Sequence, residues 1–285
     1  MRKSKLTRWL LAFLFCCLSG ACSEKKAKCD EITYTSVSGQ IVRPDEIKFD
    51  AIVIENVYVD GVGHLRFNKE ITAIKDFAFW ENTDLKTIQI PASITSIGRS
   101  AFAYCTSLER IDFAENARLE VIDETAFVYT KLKSITIPPS VTEVGMGILA
   151  GCNSLQSIEG KYSANSNRAL VYRERLISIA PAGLMVYKLE EPVKSVMENA
   201  FYGASHLETI VLPPSVKGIG KGAFCECPKL KAIYFSSEIA PLLSHQGACF
   251  CFTNGFPVLY VPKDSPYGGH NDWYLINKEG HVELY

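Results

Sequence analysis

Residues Ile94–Ile111, ITSIGRSAFAYCTSLERI, decide how the rest of the chain is read. Copies of this unit recur from Ile71 to Phe235, and self-similarity at a fixed period of about 20–50 residues marks a solenoid. Aligned on one leucine, the copies fall at Leu85, Leu108, Leu132, Leu155, Leu207 and Leu230, spaced 23, 24, 23, 52 and 23 residues apart. Apolar residues two apart follow each leucine: Ile88 and Ile90, Ile111 and Phe113, Ile135 and Ile137, Ile210 and Leu212, Ile233 and Phe235. The copy at Leu155 keeps only Ile158, with Gly160 in the second place. A period of two over so short a run predicts a strand with one buried face.

Eight residues beyond the leucine stand Ser93, Asn116, Ser140, Ser163 and Ser215, with Glu238 as the exception. A small polar residue there is expected to hydrogen-bond the backbone where the chain leaves the strand. A second apolar pair follows, such as Ile94 and Ile97 or Val216 and Ile219, and then an Ala-Phe dipeptide, as at Ala101-Phe102 and Ala223-Phe224. The dipeptide reads as a short helical turn whose Phe plugs the core. The fold class predicted is a leucine-rich repeat solenoid, α/β and β-rich, with one short strand and one short helical turn per coil of about 23 residues. Six clear copies fill 71–235, and the 52-residue gap reads as two periods of 26. It holds a degenerate copy at about 161–192, in which a hairpin near Arg173-Glu174 replaces the helical turn.

The pattern I-x-x-I-x-x-x-A-F-x-x-C-x-x-L-x-x-I-x-I-P-x-S, carried by Ile94–Ile111 and Leu132–Ser140, resembles the BspA-like leucine-rich repeat family. That family is common among surface proteins of anaerobic gut and oral bacteria and of some parasitic protists. The resemblance implies a surface-exposed binding or adhesion protein rather than an enzyme. Members differ in ligand, so it carries over no binding residue.

Residues 1–21 combine a basic start (Arg2, Lys3, Lys5, Arg8) with the apolar run Trp9–Leu18. Ten apolar residues are too few to span a bilayer, which needs about 20, so the segment reads as a secretion signal. Ending Ser19-Gly20-Ala21-Cys22, it resembles a bacterial lipoprotein signal, with Cys22 as the lipidated first residue. The usual Leu three places before the Cys is absent, and the alternative is a plain signal peptidase site near Ala21. Residues 22–29 read as a tether, 30–70 as an N-terminal cap and 236–285 as a C-terminal cap, the last closing with a helix through about Asn271–Ile276. Localisation follows as exported and membrane-anchored, at the outer membrane or cell surface. Without 1–21 the chain has 26 basic and 31 acidic residues, a net charge of −5. No basic stripe with interleaved aromatics appears, which argues against nucleic acid as a partner.

The search for chemistry begins with ten cysteines. Cys105, Cys152 and Cys227 share one slot of the repeat, where other copies have Asn82, Thr130 and Ala204, so a small buried residue explains them. Cys225-x-Cys227 and Cys249-x-Cys251 are spaced by one residue, where structural zinc pairs are usually spaced by two to four. Free thiols are expected, with a disulfide between Cys225 and Cys249 as the alternative. No metal and no cofactor is expected. The five histidines (His64, His206, His245, His270, His281) fall in different phases of the repeat. Gly218-Ile-Gly220-Lys-Gly222 looks faintly like a phosphate loop, but Gly220 matches Gly98 and Gly145 and so serves a turn of every coil.

What remains is surface. The outward strand positions Thr87, Gln89, Arg110, Asp112, Ser134, Thr136, Ser157, Glu159, Thr209, Val211 and Tyr234 (with Ala232) form a flat, mostly neutral ladder suited to an extended protein or glycan. Trp80, Tyr104, Tyr129 and Tyr202 lie at or beside the position after Ala-Phe, as a core rim or as a stacking platform for sugar rings. The leading expectation is a monomeric, non-catalytic adhesion protein for an extracellular or host protein. A surface glycan-binding accessory protein is the alternative, and a hydrolase is a remote one. Cys22→Ala should move the protein from the membrane fraction to the soluble fraction; unchanged fractionation would mean that Cys22 is not the anchor.

Overall fold

The computed structural model describes residues 30–190, 192–236, 242–243, 249, 257–262, 273–276 and 282–283. The expected signal, Cys22 and the tether lie outside them. At the N-terminal end stand β1 (Glu31–Ser36), β2 (Val53–Val59) and β3 (Val62–Phe67), joined as antiparallel neighbours. Long and two-residue strands then alternate: β4 (Ala73–Ile74), β5 (Leu85–Ile90), β6 (Ser96–Ile97), β7 (Arg110–Phe113), β8 (Val121–Ile122), β9 (Ser134–Ile137), β10 (Glu143–Val144) and β11 (Ser157–Gly160). Three strands interrupt the alternation: β12 (Ser163–Ala164), β13 (Ala169–Tyr172) and β14 (Arg175–Ile179). It resumes with β15 (Val186–Lys188), β16 (Ser195–Val196), β17 (Thr209–Leu212), β18 (Gly218–Ile219), β19 (Ala232–Phe235), β20 (Leu242–Leu243) and β21 (Val258–Pro262). Then come β22 (Trp273–Ile276) and β23 (Val282–Glu283).

Every coil therefore gives one strand to each of two parallel ladders. The longer strands pair in register, Ile88 with Ile111 and Ile210 with Ile233. The two-residue strands do the same, Ile74 with Ile97 and Val196 with Ile219. From Ile88 to Ile90 the pleat alternates, Ile88 and Ile90 buried and Gln89 facing out, while Leu85 is buried one step out of phase at the irregular start of the strand. β1 pairs antiparallel with β5, Tyr34 opposite Ile88, and so covers the first edge of the strand ladder.

The third side of each coil is not helical, which corrects the expected helical turn. Two residues per coil stand in the left-handed region, just before the Ala-Phe pair and two residues after its Phe. Ser100 (φ 52) and Tyr104 (φ 60), or Gly222 (φ 67) and Glu226 (φ 54), are examples. Between them the N–H groups alternate in direction. Ala101 and Ala103 donate three residues back, to Gly98 and Ser100, while Ser100, Phe102 and Tyr104 donate sideways to Glu124, Ala126 and Val128 of the next coil at 2.8–3.0 Å. A helix would point all of these groups along its own axis. Here half of them join coils.

The buried Phe of each coil lies on its neighbour's. Phe79 and Phe102 stack at 5.0 Å and Phe102 and Phe127 at 5.5 Å, and Phe49 of the cap meets Phe79 edge-on. Phe201 and Phe224 repeat the contact at 5.2 Å. Leu149 takes the place of Phe in the intervening coil, and the core there divides into two clusters that meet at β13–β14. That hairpin turns at Arg173 (φ 51) and Glu174 (φ 58), the left-handed pair that suits the twist of a two-residue turn.

Three further expectations are corrected. Tyr187 pairs with Ile210, so Leu184, Tyr187 and Leu189 are a full repeat strand, and the 52-residue gap divides as 29 and 23 rather than equally. Ser140 Oγ and Ser215 Oγ are buried without a hydrogen-bond partner, so that slot selects for small volume where the chain turns. Ser93 does bond, to Asp30 of the cap. Trp273–Ile276, placed in a closing helix from its sequence, forms strand β22 parallel to β21. Its aromatic and β-branched residues suit a strand, and β21 would otherwise present an open edge.

Phe102→Ala should lower unfolding free energy by about 3–5 kcal/mol in urea titration. A change below about 1 kcal/mol would show that the phenylalanine column does not carry the core.

Candidate binding faces

The expected strand-face residues divide into two unlike halves. In the N-terminal half the face runs on over the cap: Thr33 Oγ1 donates to Gln89 Oε1 at 2.9 Å, and the hydroxyls of Thr35 and Thr87 lie 2.7 Å apart. Arg110 pairs with Asp112 of its own strand at 2.8 Å, and Ser157 and Thr136 both donate to Glu159. These polar groups are largely satisfied by one another. β7 and β9 belong to different sheets although Lys133 N still donates to the Glu109 carbonyl at 3.2 Å. The strands diverge beyond that bond, beside the longer loop Ala114–Ala117, and a cleft of about 340 Å³ opens between Asp112, Phe113, Thr136 and Pro138.

The C-terminal half is apolar. Register aligns Val186 with Thr209, and Lys188 with Val211. It likewise aligns Val211 with Tyr234 and Tyr234 with Tyr260. Tyr234 and Tyr260 stack at 4.4 Å with their planes 6° apart. Met185 and Val186, at the start of β15 and two strands from Tyr234, are 58% and 59% exposed. A depression of about 300 Å³ lined by Lys188, Glu190, Val211, Pro213 and Pro214 adjoins the pair. Ala232, grouped with the outward positions in the sequence, is buried. In the sequence Phe256-Pro-Val-Leu-Tyr-Val-Pro262 reads as a final strand, which β21 matches. Tyr260 is not among the expected outward positions because that strand follows a stretch without the repeat phase. Its signal was the apolar run Val258–Val261.

The turn side carries the four aromatic residues. Trp80 and Tyr104 are 48% and 42% exposed, whereas Tyr129 and Tyr202 are half-buried. Tyr104 stacks on Tyr129 at 5.1 Å, and Tyr202 meets Tyr129 edge-on at 5.9 Å. The Tyr129 hydroxyl donates to Glu226 Oε2 at 2.5 Å and lies 3.1 Å from the Tyr202 hydroxyl. Burial, reinforced by the Glu226 carboxylate and by Tyr202, pushes the Tyr129 phenol well above its ordinary value. Gly151 (φ +72) allows this: a Cβ there would stand 2.7 Å from the Tyr129 ring, so Tyr129 lies across it towards Glu226. Phe77, 43% exposed and edge-on to Trp80 at 6.3 Å, was missed in the sequence, since it precedes the repeat phase of the other rings.

The shared cysteine slot donates between coils. Cys105 Sγ donates to the Phe79 carbonyl at 3.0 Å, Cys152 to Phe127 at 3.1 Å and Cys227 to Phe201 at 3.1 Å. Asn82 Nδ2 fills the same role to Arg43. Burial pushes Cys105 and Cys227 up to about 12 and Cys152 up to about 11, the reverse of a nucleophilic thiol. The Cys225–Cys249 alternative is corrected. Cys225 is disulfide-bonded, but Cys249 is a thiol whose Sγ donates to the Ile219 carbonyl at 3.8 Å. Parallel stacking brings the two coils together at the backbone, where Phe224 N donates to the Cys249 carbonyl at 2.8 Å. Cys251 lies outside the described residues.

Among the described residues no group of His, Cys, Asp and Glu is arranged to hold a metal. His64 bonds to Glu31 at 2.8 Å and His206 to Ser205 at 3.1 Å, while His245, His270 and His281 lie outside the described residues. The loop glycines pack closely: a Cβ on Gly98 or Gly220 would meet backbone of the preceding coil at 2.5 Å.

Parallel strand ladders, a column of buried phenylalanines and a repeated turn define a leucine-rich repeat β-solenoid. Within that class the chain belongs to the BspA type leucine rich repeat family, whose model matches residues 58–166 and 183–255 with 6 copies, more than half of the chain. The stretch between the two matches contains β13 and β14, the hairpin that replaces a turn. The chain is similar to a leucine rich cell surface protein from Faecalibacterium prausnitzii A2-165, with 25% identity and a TM-score of 0.55 over 67% of this chain and 57% of that one. It spans little more than half of that structure. The pneumococcal vaccine antigen PcpA is 19% identical, with a TM-score of 0.49 over 69% of this chain and 62% of that one. A leucine-rich repeat protein from Eubacterium ventriosum ATCC 27560 is 20% identical, with a TM-score of 0.40 over 68% and 67%. No curated protein matches significantly.

Cys105, Cys152 and Cys227 should resist a thiol reagent at pH 8 in the native protein and react fully in denaturant, read residue by residue by peptide mass spectrometry. Labelling of any of the three in the native state would contradict the buried donor role.

Proposed function

We propose that this is a non-catalytic surface protein that binds an extracellular protein through the C-terminal half of its strand face. The observation carrying this reading is the stacked pair Tyr234–Tyr260, with Val211 next to Tyr234 in the same row and the exposed Met185 and Val186 further along the face. Tyrosines held rigid by stacking lose little side-chain entropy on binding, and aromatic anchors surrounded by smaller apolar groups are where interface energy concentrates. Lys188 and Glu190 beside the depression supply a polar rim. Family membership supports a binding role, since leucine-rich repeat proteins of this kind are generally non-catalytic, and the similar Faecalibacterium protein is named as a cell surface protein. Export with lipid anchoring at Cys22 to the outer membrane or cell surface is part of the same proposal and rests on the sequence 1–22.

The test is binding of the full mature chain to an array of extracellular matrix proteins. Specific binding to one of them that falls by at least about tenfold in Tyr234→Ala, with the thermal midpoint kept, supports the reading. Binding that survives Tyr234→Ala and Val186→Asp together would remove the strand face from it.

A further inference from the structure

The turn side carries a second row of exposed chemistry, on a different face from the strand ladder. One slot, two residues past the buried Phe, repeats along it as Glu81, Tyr104, Tyr129, Gly151, Gly203 and Glu226, all with positive φ. Lateral bonds keep these residues in line: Glu81 N to Ala103 O, Tyr104 N to Val128 O, Tyr129 N to Ala150 O, Gly151 N to Tyr202 O and Gly203 N to Cys225 O, all at 2.8–2.9 Å. Six coils at strand spacing make a row of roughly 24 Å. It has aromatic rings in its first half, glycines in its second and a carboxylate at either end.

From this arrangement we infer that the row is a binding platform for an uncharged polysaccharide, whose pyranose rings lie on Trp80 and Tyr104 while Glu226 and Glu81 accept from sugar hydroxyls. The C–H-rich face of a pyranose covers an aromatic ring, and its edge hydroxyls need acceptors close by; sites of this kind join apolar surface to a few fixed polar groups. Tyr104 is fixed by stacking on Tyr129, and Tyr129 by Tyr202 and Glu226, so the ring is held in place before any ligand arrives. Tyr129 and Tyr202 are thus positioning residues, and Trp80 and Tyr104 are the exposed rings. The carboxylate of Glu226 keeps acceptor capacity beyond the bond from Tyr129. Gly151 lies under the Tyr129 ring, which spans the gap to Glu226, so the carboxylate follows directly beyond that ring in the row. The two terminal carboxylates disfavour anionic glycans by like-charge repulsion.

Phe77 adds an independent indication. Its slot holds Ser100, Thr125, Gly147, Asn199 and Gly222 in other coils. A bulky residue at φ 65 is strained, since its Cβ crowds the following carbonyl. Its ring lies against Trp80 at the surface, not in the core, so the strain serves the exposed aromatic cluster.

The experiment is affinity electrophoresis of the full mature chain through gels containing neutral polysaccharides (mixed-linkage β-glucan, galactomannan, soluble starch) or anionic ones (polygalacturonate, hyaluronan). Retardation by at least one neutral polymer is expected. It should weaken by at least about tenfold in Trp80→Ala and in Tyr104→Ala, and persist in Tyr104→Phe and in the strand-face variant Tyr234→Ala. Circular dichroism and the thermal midpoint check that each variant is folded. No retardation by any neutral polymer, retardation only by anionic ones, or retardation unaffected by Trp80→Ala and Tyr104→Ala would each overturn the proposal. Loss in Tyr234→Ala with Tyr104→Ala unaffected would transfer the glycan to the strand face.

Discussion

The sideways hydrogen bonds of the turns hold this solenoid together along its whole length. Both strand ladders break: β7 and β9 diverge in the longer-strand ladder, and β10 and β16 of the two-residue ladder lie in separate sheets. The turn ladder does not. At the hairpin coil, which has no Ala-Phe turn of its own, Gly151 N bonds directly to Tyr202 O at 2.9 Å. The coils on either side of the hairpin are therefore in contact on that side. A Cβ on Gly203 would stand 2.9 Å from the Gly151 Cα, and one on Gly151 would stand 2.7 Å from the Tyr129 ring, so each position takes glycine for its own reason. Each such bond adds on the order of 1 kcal/mol, and orphaning the buried groups would cost more.

The buried side chains obey the same constraint. A parallel stack brings identical positions of successive coils together, so Phe stacks on Phe and each Cys thiol donates to the carbonyl of the preceding coil's Phe. Interiors packed this way are filled by apolar side chains, and the thiols are held protonated by burial. Reactive or adhesive chemistry is left to the outward positions. There the strand face and the turn side carry different chemistry, one a stacked tyrosine pair among aliphatics, the other exposed rings between carboxylates.

A solenoid also needs its ends covered. The N-terminal strands do this with an antiparallel reversal, with Phe49 seated on Phe79 and Asp30 bonded to Ser93. The cap also lengthens the outward surface, since Thr33 and Thr35 bond to Gln89 and Thr87. Extension of the outward face and edge protection come from the same strand.

By itself the sequence determined the repeat, the strand positions, the buried Phe and Cys slots, and the hairpin at Arg173–Glu174. Each of these is a local pattern in which a residue's own period or slot shows its side of the coil. Only the tertiary structure decided the character of the third side, because the direction of alternate N–H groups depends on a neighbouring coil 21 to 25 residues away, or 51 across the hairpin. The same holds for β1, whose alternation Ile32, Tyr34, Ser36 is readable but whose partner β5 is remote. Distance in the sequence also hid the pairing of Tyr234 with Tyr260, the reach of Tyr129 to Glu226 and the correct division of the 52-residue gap. The slot of Ser140 and Ser215 looked like a hydrogen-bonding position, since a hydroxyl and a small volume give the same letter. Which of the two a coil needs is settled only by what the neighbouring coils place around it.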